Sequence, residues 1–244
     1  MPYPPRLDPG DALFLDLDGT LAPIAATPDE VSFDPRLAGL MARLEQAMGG
    51  ALAVISGRSL EDVRRILGGA PGAVGAVHGL VRHLPGKGTV TAEPSAGLAE
   101  ARDQLKAVAR AWPGVLMEDK GLGLALHYRQ APEAEQAVKA AAAAVAAEKD
   151  LVRQDGAMVC ELRAPGGGKG EALTAFLAEA PFAGRRPVMV GDDLTDEDGF
   201  AAAEAAGGYG VLVGPGRQTA ARYRLDDVEA VIAWLSASLA ADAA

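Results

Sequence analysis

The stretch Leu13-Phe14-Leu15-Asp16-Leu17-Asp18-Gly19-Thr20 decides how the whole chain is interpreted. Its apolar first half predicts a strand buried on both faces, as strands of parallel sheets are. Because side chains alternate in a strand, we expect Asp16 and Asp18 to share one face. Two carboxylates at such a short distance repel each other unless one takes up a proton or a cation lies between them. Mg²⁺ is a cation that prefers such oxygen ligands. A plain Asp-Gly turn is the alternative, but the carboxyl end of a buried parallel strand favours a ligand site.

Length and composition predict a sizeable core and limit the classes of partner. The chain has 244 residues and a formal net charge of −10, which argues against a general binder of nucleic acid or of membrane surfaces. Cys160 is the only cysteine, so an internal disulfide and a cysteine-based zinc site are excluded. The sequence has no apolar run long enough to span a membrane, and its first residues lack the apolar core of a signal peptide. We therefore expect a cytoplasmic protein. We also expect a monomer, although these features do not determine the oligomeric state.

The order and the apolar patterns of the predicted strands and helices divide the chain into two kinds of sequence. Near-continuous apolar strands alternate with helices up to about residue 82 and again from about residue 165. This pattern predicts an α/β core with a Rossmann-like, doubly wound parallel sheet. The stretch between them has alternating strands in the order helix, two strands, helix, two strands (αββαββ). We expect residues 1–82 and 165–244 to form the core, and residues 83–164 to form an inserted α+β domain.

The alternation in the predicted insert separates an apolar face from a polar one. The apolar residues of its strands are expected to lie under the two helices. The opposite face would then present four polar residues together: His127, Arg129, Glu161 and Arg163. An ordinary solvated sheet face is the alternative explanation.

Polar residues stand at four strand-to-helix junctions of the predicted core. They are Asp16 with Asp18, Ser56, Lys169, and Asp192 with Asp193 and Asp196. Such junctions converge on one crevice in a doubly wound sheet, where the carboxylates can hold Mg²⁺ and Lys169 can neutralise a phosphoryl group. Thr20, Ser56 and backbone N–H groups at helix N-termini can bind the phosphoryl oxygens.

Each of these motifs also has a structural explanation when taken alone. Ser56 could be a turn or cap residue, and the glycine-rich loop before Lys169 could be a linker. That loop is not a Walker loop, because Gly170 follows the lysine where Ser or Thr is required. The run Gly191–Asp198 is not an EF-hand, because its acidic residues and its glycine have the wrong spacing. Four motifs in one order are far more specific than any one of them.

In that order, the four motifs resemble those of the haloacid dehalogenase (HAD) superfamily of phosphatases. The insert lies between the second and third motifs, where members of this type carry their C2-type cap domain. More narrowly, the chain resembles the trehalose-6-phosphate phosphatase family. The segments that carry this resemblance are Ser56-Gly57-Arg58, His78-Gly79, Lys120, Glu161-Leu162-Arg163, and Gly191-Asp192-Asp193-Leu194-Thr195-Asp196-Glu197.

The resemblance implies a Mg²⁺-dependent phosphatase that acts through an aspartyl phosphate on a small-molecule sugar phosphate. It implies that Asp16 is the nucleophile, that Asp18 is the general acid and base, and that Lys169 assists catalysis. The implied metal ligands are Asp16, the backbone carbonyl of Asp18, and Asp192, with Asp193 or Asp196 in support. The expected phosphate-binding residues are Thr20, Ser56, Gly57 and Lys169. The expected substrate-binding residues are Arg58, His78, Lys120, His127, Arg129, Glu161 and Arg163.

Three other functions are compatible with part of this evidence. Another HAD phosphatase, acting on sucrose phosphate or mannosylglycerate phosphate, shares the same core motifs. A phosphoacceptor signalling domain also has an acidic cluster with a receiving aspartate, but it needs neither the second carboxylate of Asp18 nor a large insert. A catalytically silent Mg²⁺-binding module is disfavoured because Asp16, Asp18 and Lys169 are all present.

Overall fold

The computed structural model describes residues 1–239 except for positions 26, 28, 29, 70 and 157, so the end of the expected core, 240–244, lies outside the described residues. The strands among the described residues are β1 (Asp11–Leu15), β2 (Leu52–Ile55), β3 (Ala73–Ala76), β4 (Val81–Leu84), β5 (Gly88–Thr91), β6 (Leu116–Asp119), β7 (Gly123–His127), β8 (Val152–Gly156), β9 (Val159–Arg163), β10 (Arg186–Gly191), β11 (Tyr209–Val213) and β12 (Tyr223–Leu225). The helices are α1 (Pro35–Ala47), α2 (Leu60–Leu67), α3 (Ala96–Ala111), α4 (Glu135–Lys149), α5 (Lys169–Leu177), α6 (Glu197–Ala205) and α7 (Val228–Leu239). None of these described helices has the length and apolar composition that a membrane crossing requires.

The strand that leads to Asp16 lies inside a large sheet. The strand order is β12-β11-β10-β1-β2-β3-β4-β5, and the neighbours from β12 to β3 are parallel. All five residues of β1 are buried, which confirms the expected strand with both faces covered. Because the strands are parallel, their carboxyl ends lie at one edge of the sheet. The predicted α/β class and doubly wound core are confirmed.

The remaining edge of this sheet differs from the sequence expectation. Strand β4 pairs antiparallel with β3, and β5 lies next to β4, although the insert was expected to begin at residue 83. The chain accordingly separates into two compact units with a later boundary. We call them the core unit, which comprises the described residues of Met1–Ile24, Val31–Val90 and Gly168–Ala244, and the insert unit, which comprises those of Ala25–Glu30 and Thr91–Gly167. Strand β5 is therefore the edge strand on this side of the sheet, and all four of its residues are exposed.

The insert unit has its own sheet and its own apolar core. Its elements follow the order α3, β6, β7, α4, β8, β9, the arrangement that the sequence predicts. The sheet order is β6-β7-β9-β8, and all three pairings are antiparallel. Leu124, Leu126, Cys160 and Leu162 are fully buried on one face, in one cluster with apolar residues of both helices. The side chains on the alternate positions are therefore left on the face opposite the helices.

Candidate active site

Lys169 joins two acidic segments at the carboxyl edge of the core sheet. Asp16 directly follows β1, and Asp196 ends a short 3-10 helix, Leu194–Asp196, just after β10. The Nζ atom of Lys169, at the start of α5, donates to Oδ1 of Asp16 and to Oδ1 of Asp196, each at 2.6 Å. All three residues are buried. Burial opposes the charge of Lys169, but the two carboxylates outweigh it and raise its pKa, so the ammonium stays protonated.

A third carboxylate completes an acidic cluster around this lysine. Oxygen atoms of Asp16, Asp192 and Asp196 lie within 4.8 Å of one another. Burial raises the pKa of Asp16 well above its usual range, and the negative charges of Asp196 and Asp192 add to this effect although Lys169 opposes it. Burial, reinforced by the charge of Asp196, raises the pKa of Asp192 to about 7. One lysine is therefore too little positive charge for this cluster.

The acidic cluster fits a divalent cation. Its donors are carboxylate oxygens, the ligands that Mg²⁺ and other hard cations prefer. Asp196 is already bound through both oxygens, because Oδ1 accepts from Lys169 and Oδ2 accepts from the backbone N–H of Asp193 at 3.0 Å. Asp16 and Asp192 are thus the carboxylates best placed to ligate a cation directly. Asp192 also packs tightly on Gly19, where an added Cβ would come within 2.1 Å of a carboxylate oxygen.

The Asp18 side chain pairs with Arg58, a contact that strand alternation does not predict. Its carboxylate accepts from Nε of Arg58 at 2.7 Å and from a terminal nitrogen of the same guanidinium at 2.8 Å. Asp16 and Asp18 thus contact different cationic side chains, Lys169 and Arg58. The difference arises because β1 ends at Leu15 and Gly19 turns the chain with a φ of 83°, so alternation no longer governs Asp18.

Two loops of the core unit hold three of the expected phosphate-binding residues, Thr20, Ser56 and Gly57, and the fourth, Lys169, begins α5. Thr20 is fully buried, and its hydroxyl donates to Oδ1 of Asp192 at 3.5 Å. Ser56 is buried between β2 and α2, where its Oγ accepts from the backbone N–H of Arg58 at 3.2 Å. His78 has a left-handed backbone conformation with φ 54°. Its ring lies so close to Gly57 that an added Cβ would meet Nε2 at 2.5 Å.

Among the residues that the structure describes, the acidic cluster does not include Asp193. Its carboxylate accepts from the backbone N–H of Leu194 at 2.6 Å and caps the 3-10 helix. The backbone N–H of Asp193 donates in turn to Asp196, so the two residues form a reciprocal cap. In this arrangement Asp193 organises the loop that presents Asp192 and Asp196.

Polar residues of the insert unit share the face that strand register assigns to them. Glu161 lies opposite Ala125, His127 opposite Val159, and Arg163 opposite Gly123, so Glu161, His127 and Arg163 lie on one face. Lys120, in the turn between β6 and β7, donates to Oε2 of Glu161 at 2.8 Å, and both side chains are less than a tenth exposed. Arg129 lies beyond the end of β7, so the ladder does not assign it to this face.

Two further polar residues on the same face were missed by the sequence analysis. Glu118 lies opposite Ala125 in the β6–β7 hairpin, and its Oε2 is 2.9 Å from Nε2 of His127. Gln154 lies opposite Glu161 and accepts from Nε of Arg163 at 3.2 Å. The hairpin turn at Lys120-Gly121 could have identified Glu118, because the turn sets the register of both strands. We call Lys120, Glu118, His127, Gln154, Glu161 and Arg163 the polar face of the insert unit.

Asp198 is another residue of the core unit that sequence reasoning missed. Its Oδ2 accepts from the backbone N–H of Gly170 at 3.1 Å. The loop before Lys169 passes so close to it that a Cβ at Gly168 would come within 2.6 Å of the same oxygen. Asp198 therefore caps the first turn of α5 from a neighbouring helix, and this cap helps to hold Lys169 in place.

Sequence comparisons with known proteins indicate one family, and a structure comparison matches the fold. The family model described as trehalose-phosphatase matches residues 14–229. Trehalose-6-phosphate phosphatase of Escherichia coli (strain K12) is 41% identical over 233 residues, which cover 95% of this chain and 87% of that protein. A probable trehalose-phosphate phosphatase of Sinorhizobium fredii is 40% identical over 84% of this chain and 78% of its own length. Among solved structures, the C-terminal domain of the Candida albicans trehalose-6-phosphate phosphatase superposes with a TM-score of 0.83 at 24% identity, covering 98% of this chain and 99% of that one.

Proposed function

The chain belongs to the trehalose-phosphatase family, and on that basis we propose that it hydrolyses trehalose 6-phosphate to trehalose and inorganic phosphate. The observation that carries this proposal is the buried contact of Lys169 with Asp16 and Asp196 beside Asp192. A lysine and a carboxylate cluster around one potential nucleophile are the parts that phosphoryl transfer requires.

In the proposed first step, a carboxylate oxygen of Asp16 attacks phosphorus and the bond between phosphorus and the sugar oxygen breaks. Asp18 gives a proton to that leaving oxygen, so trehalose departs as a neutral alcohol. In the second step, Asp18 takes a proton from a water molecule that attacks phosphorus. The bond from phosphorus to Asp16 then breaks, which releases phosphate and restores both carboxyl groups.

The family implies a divalent cation, and we propose that it is Mg²⁺, with Asp16 and Asp192 as direct side-chain ligands. When bound, the ion neutralises phosphoryl oxygens and the cluster charge. The backbone carbonyl of Asp18 is a further proposed ligand. Asp196 supports the site by holding Lys169, and Asp193 by capping the loop. Lys169 itself neutralises charge that develops on the phosphoryl group.

The substrate has two parts that the protein must recognise, the phosphate and the sugar. We assign the phosphate to Thr20, Ser56, Gly57 and Lys169, which lie in the core unit with the acidic cluster. We assign the sugar to the polar face of the insert unit, with Arg58, His78 and Arg129 as further expected contacts. A paired lysine and carboxylate offer donors and acceptors for sugar hydroxyls, as Lys120 and Glu161 do. A monomeric cytoplasmic enzyme remains our expectation.

The test is the release of inorganic phosphate from trehalose 6-phosphate by the purified protein. We expect many turnovers with Mg²⁺, none after chelation, and recovery when Mg²⁺ is added back. The same assay with sucrose phosphate and mannosylglycerate phosphate separates the related activities, and we expect at least about a tenfold lower kcat/KM for each. A preference for either of these would contradict the assigned sugar. Transfer of one phosphoryl group to each protein molecule, with trehalose released and the phosphoryl group retained on Asp16, would instead support a phosphoacceptor domain.

A further inference from the structure

Arg217 connects the loop after β11 to the backbone that carries Asp192. One terminal nitrogen of its guanidinium donates to the carbonyl of Asp193 at 2.8 Å and to the carbonyl of Asp192 at 3.5 Å. The other terminal nitrogen donates to the carboxylate of Glu197. The guanidinium therefore contacts both ends of the stretch that leads from β10 into α6, Asp192 at its start and Glu197 at its end.

Glu197 is fixed from the same loop by two further donors. The hydroxyl of Thr219 donates to Oε2 of Glu197 at 3.1 Å, and the backbone N–H of Ala220 donates to the same oxygen at 2.8 Å. The side chains of Arg217 and Glu197 are only about a quarter exposed, 25% and 26%. The loop and the acidic segment are thus closed into one hydrogen-bonded unit, which we call the Arg217 clamp.

The clamp acts on backbone that regular secondary structure does not fix. Asp192 and Asp193 lie between the end of β10 and the 3-10 helix. The direction of the Asp192 carboxylate therefore depends on how this short segment is held. A planar guanidinium with donors in a fixed fork can hold two carbonyls and a carboxylate together, whereas a lysine offers donors at a single nitrogen.

We propose that Arg217 is a positioning residue that orients Asp192 and thereby sets the affinity of the acidic cluster for a divalent cation. This inference rests on the proposed function, because it assumes that Asp192 is a metal ligand. Partners that orient a ligand, without touching the metal, commonly change metal affinity by about 10-fold to 100-fold. The hydrogen bonds of Arg217 described above run to Asp192, Asp193 and Glu197, so the effect is expected on the metal and not on substrate selectivity.

The test measures cation binding directly as well as activity. Mn²⁺ alone serves as the probe, since its free form gives a strong electron paramagnetic resonance signal and it favours the same oxygen ligands. We expect Arg217→Gln to weaken Mn²⁺ binding by about 10-fold or more and Arg217→Lys to weaken it less. Competition with Mg²⁺ should give the same ranking. At saturating Mg²⁺, kcat for the substrate that the wild-type protein hydrolyses should return to within about 3-fold of its wild-type value, because the chemical groups are intact.

The matched control is Arg222→Gln. Arg222 also lies in the segment between β11 and β12, but its guanidinium pairs with Glu204 at 2.6 Å, and 56% of its side chain is exposed. It should bind Mn²⁺ as the wild type does. Thr219→Val removes a single donor of the clamp and should weaken Mn²⁺ binding by a few fold. If Arg217→Gln does not fold, this variant still tests the inference.

Two results would overturn the inference. One is unchanged Mn²⁺ affinity in folded Arg217 and Thr219 variants, which would make the clamp only structural. The other is a lasting loss of kcat at saturating Mg²⁺ without a change in metal affinity. Failure of the proposed function would look different, because the wild-type protein would then bind Mn²⁺ with clamp-dependent affinity and release no phosphate from trehalose 6-phosphate.

Discussion

The guanidinium of Arg58 binds both carboxylate oxygens of Asp18, at 2.7 and 2.8 Å. Arg58 is buried, and a two-point contact of this kind fixes the orientation of the carboxylate as well as its position. Asp18→Asn should keep the fold and slow turnover of trehalose 6-phosphate by about 100-fold or more, the usual scale of general acid–base assistance. The second step needs the same base, so acid quenching during turnover should recover phosphorylated protein. Wild-type rates in this variant would remove Asp18 from the mechanism.

Asp16→Asn should abolish turnover because an amide is a poor nucleophile. The fold should persist, since Lys169 keeps its 2.6 Å contact with Asp196. The measurements are phosphate release and the thermal unfolding midpoint of the same preparation. Loss of activity with an unchanged circular dichroism spectrum is the expected pair of results. Substantial turnover by Asp16→Asn would exclude the covalent route.

Lys169→Met should lower both activity and stability. The substitution leaves Asp16 and Asp196 buried beside Asp192 without the ammonium that pairs with them. Breaking a buried ion pair from one side typically costs about 3–5 kcal/mol, which urea unfolding can measure. Added Mg²⁺ should restore part of the lost stability, because it supplies positive charge to the same cluster.

Lys87→Met is the control for that experiment. Lys87 pairs with Glu179 at 2.7 Å, but half of its side chain is exposed, so its loss should cost about 0–1 kcal/mol. It should also leave activity and the response to Mg²⁺ unchanged. An equal loss of unfolding free energy in the two variants would show that the buried ion pairs of Lys169 stabilise the fold no more than an exposed pair does.

Sequence patterns predict the strands of the core and the order of elements in the insert, because burial of a strand requires apolar residues at its covered positions. Strand β1 is apolar at four of its five positions, and all five are buried, so its place in a parallel sheet follows from composition. Strand β5 is different, since all four of its residues are exposed. Its place at the edge of the core sheet depends on β4, not on any apolar pattern of its own.

The pairing of charged residues in the site could not be predicted in the same way. Alternation places Glu161 on the polar face correctly, but its contact with Lys120 joins residues 41 positions apart. The contact of Arg58 with Asp18 depends on the turn at Gly19, where strand periodicity has ended. The Arg217 clamp joins two loops that follow different strands, and loops carry no period from which their contacts could be inferred.

Cys160 should be chemically inert in the folded protein. It is buried, and burial raises the pKa of its thiol to about 12, with the nearby Asp155 carboxylate contributing in the same direction. The thiolate is the reactive form, so almost none is available at pH 8. A disulfide exchange reagent such as Ellman's reagent should label no thiol in the native protein and one thiol in guanidinium chloride. Rapid labelling of the native state would contradict the burial of this residue.

Glu161→Ala and Lys120→Ala should each lower kcat/KM for trehalose 6-phosphate by about 100-fold or more, as loss of specific polar contacts can. Both should leave hydrolysis of a small aryl phosphate nearly unchanged, since that substrate has no sugar. The two side chains are paired at 2.8 Å and less than a tenth exposed, so each single change also leaves the partner charge buried. The double variant should therefore lose less than the product of the single losses.

Arg102→Gln is the matched control in the insert unit. Arg102 pairs with Asp119 at 2.6 Å, and its side chain is a third exposed. Asp119 lies opposite Leu124 in the β6–β7 ladder, which places it on the alternate face from Glu161. Both substrates should be hydrolysed by this variant as by the wild type. If the Glu161 and Lys120 variants lost activity on the two substrates equally, the pair would be structural. Sugar recognition would then have to be assigned to other residues.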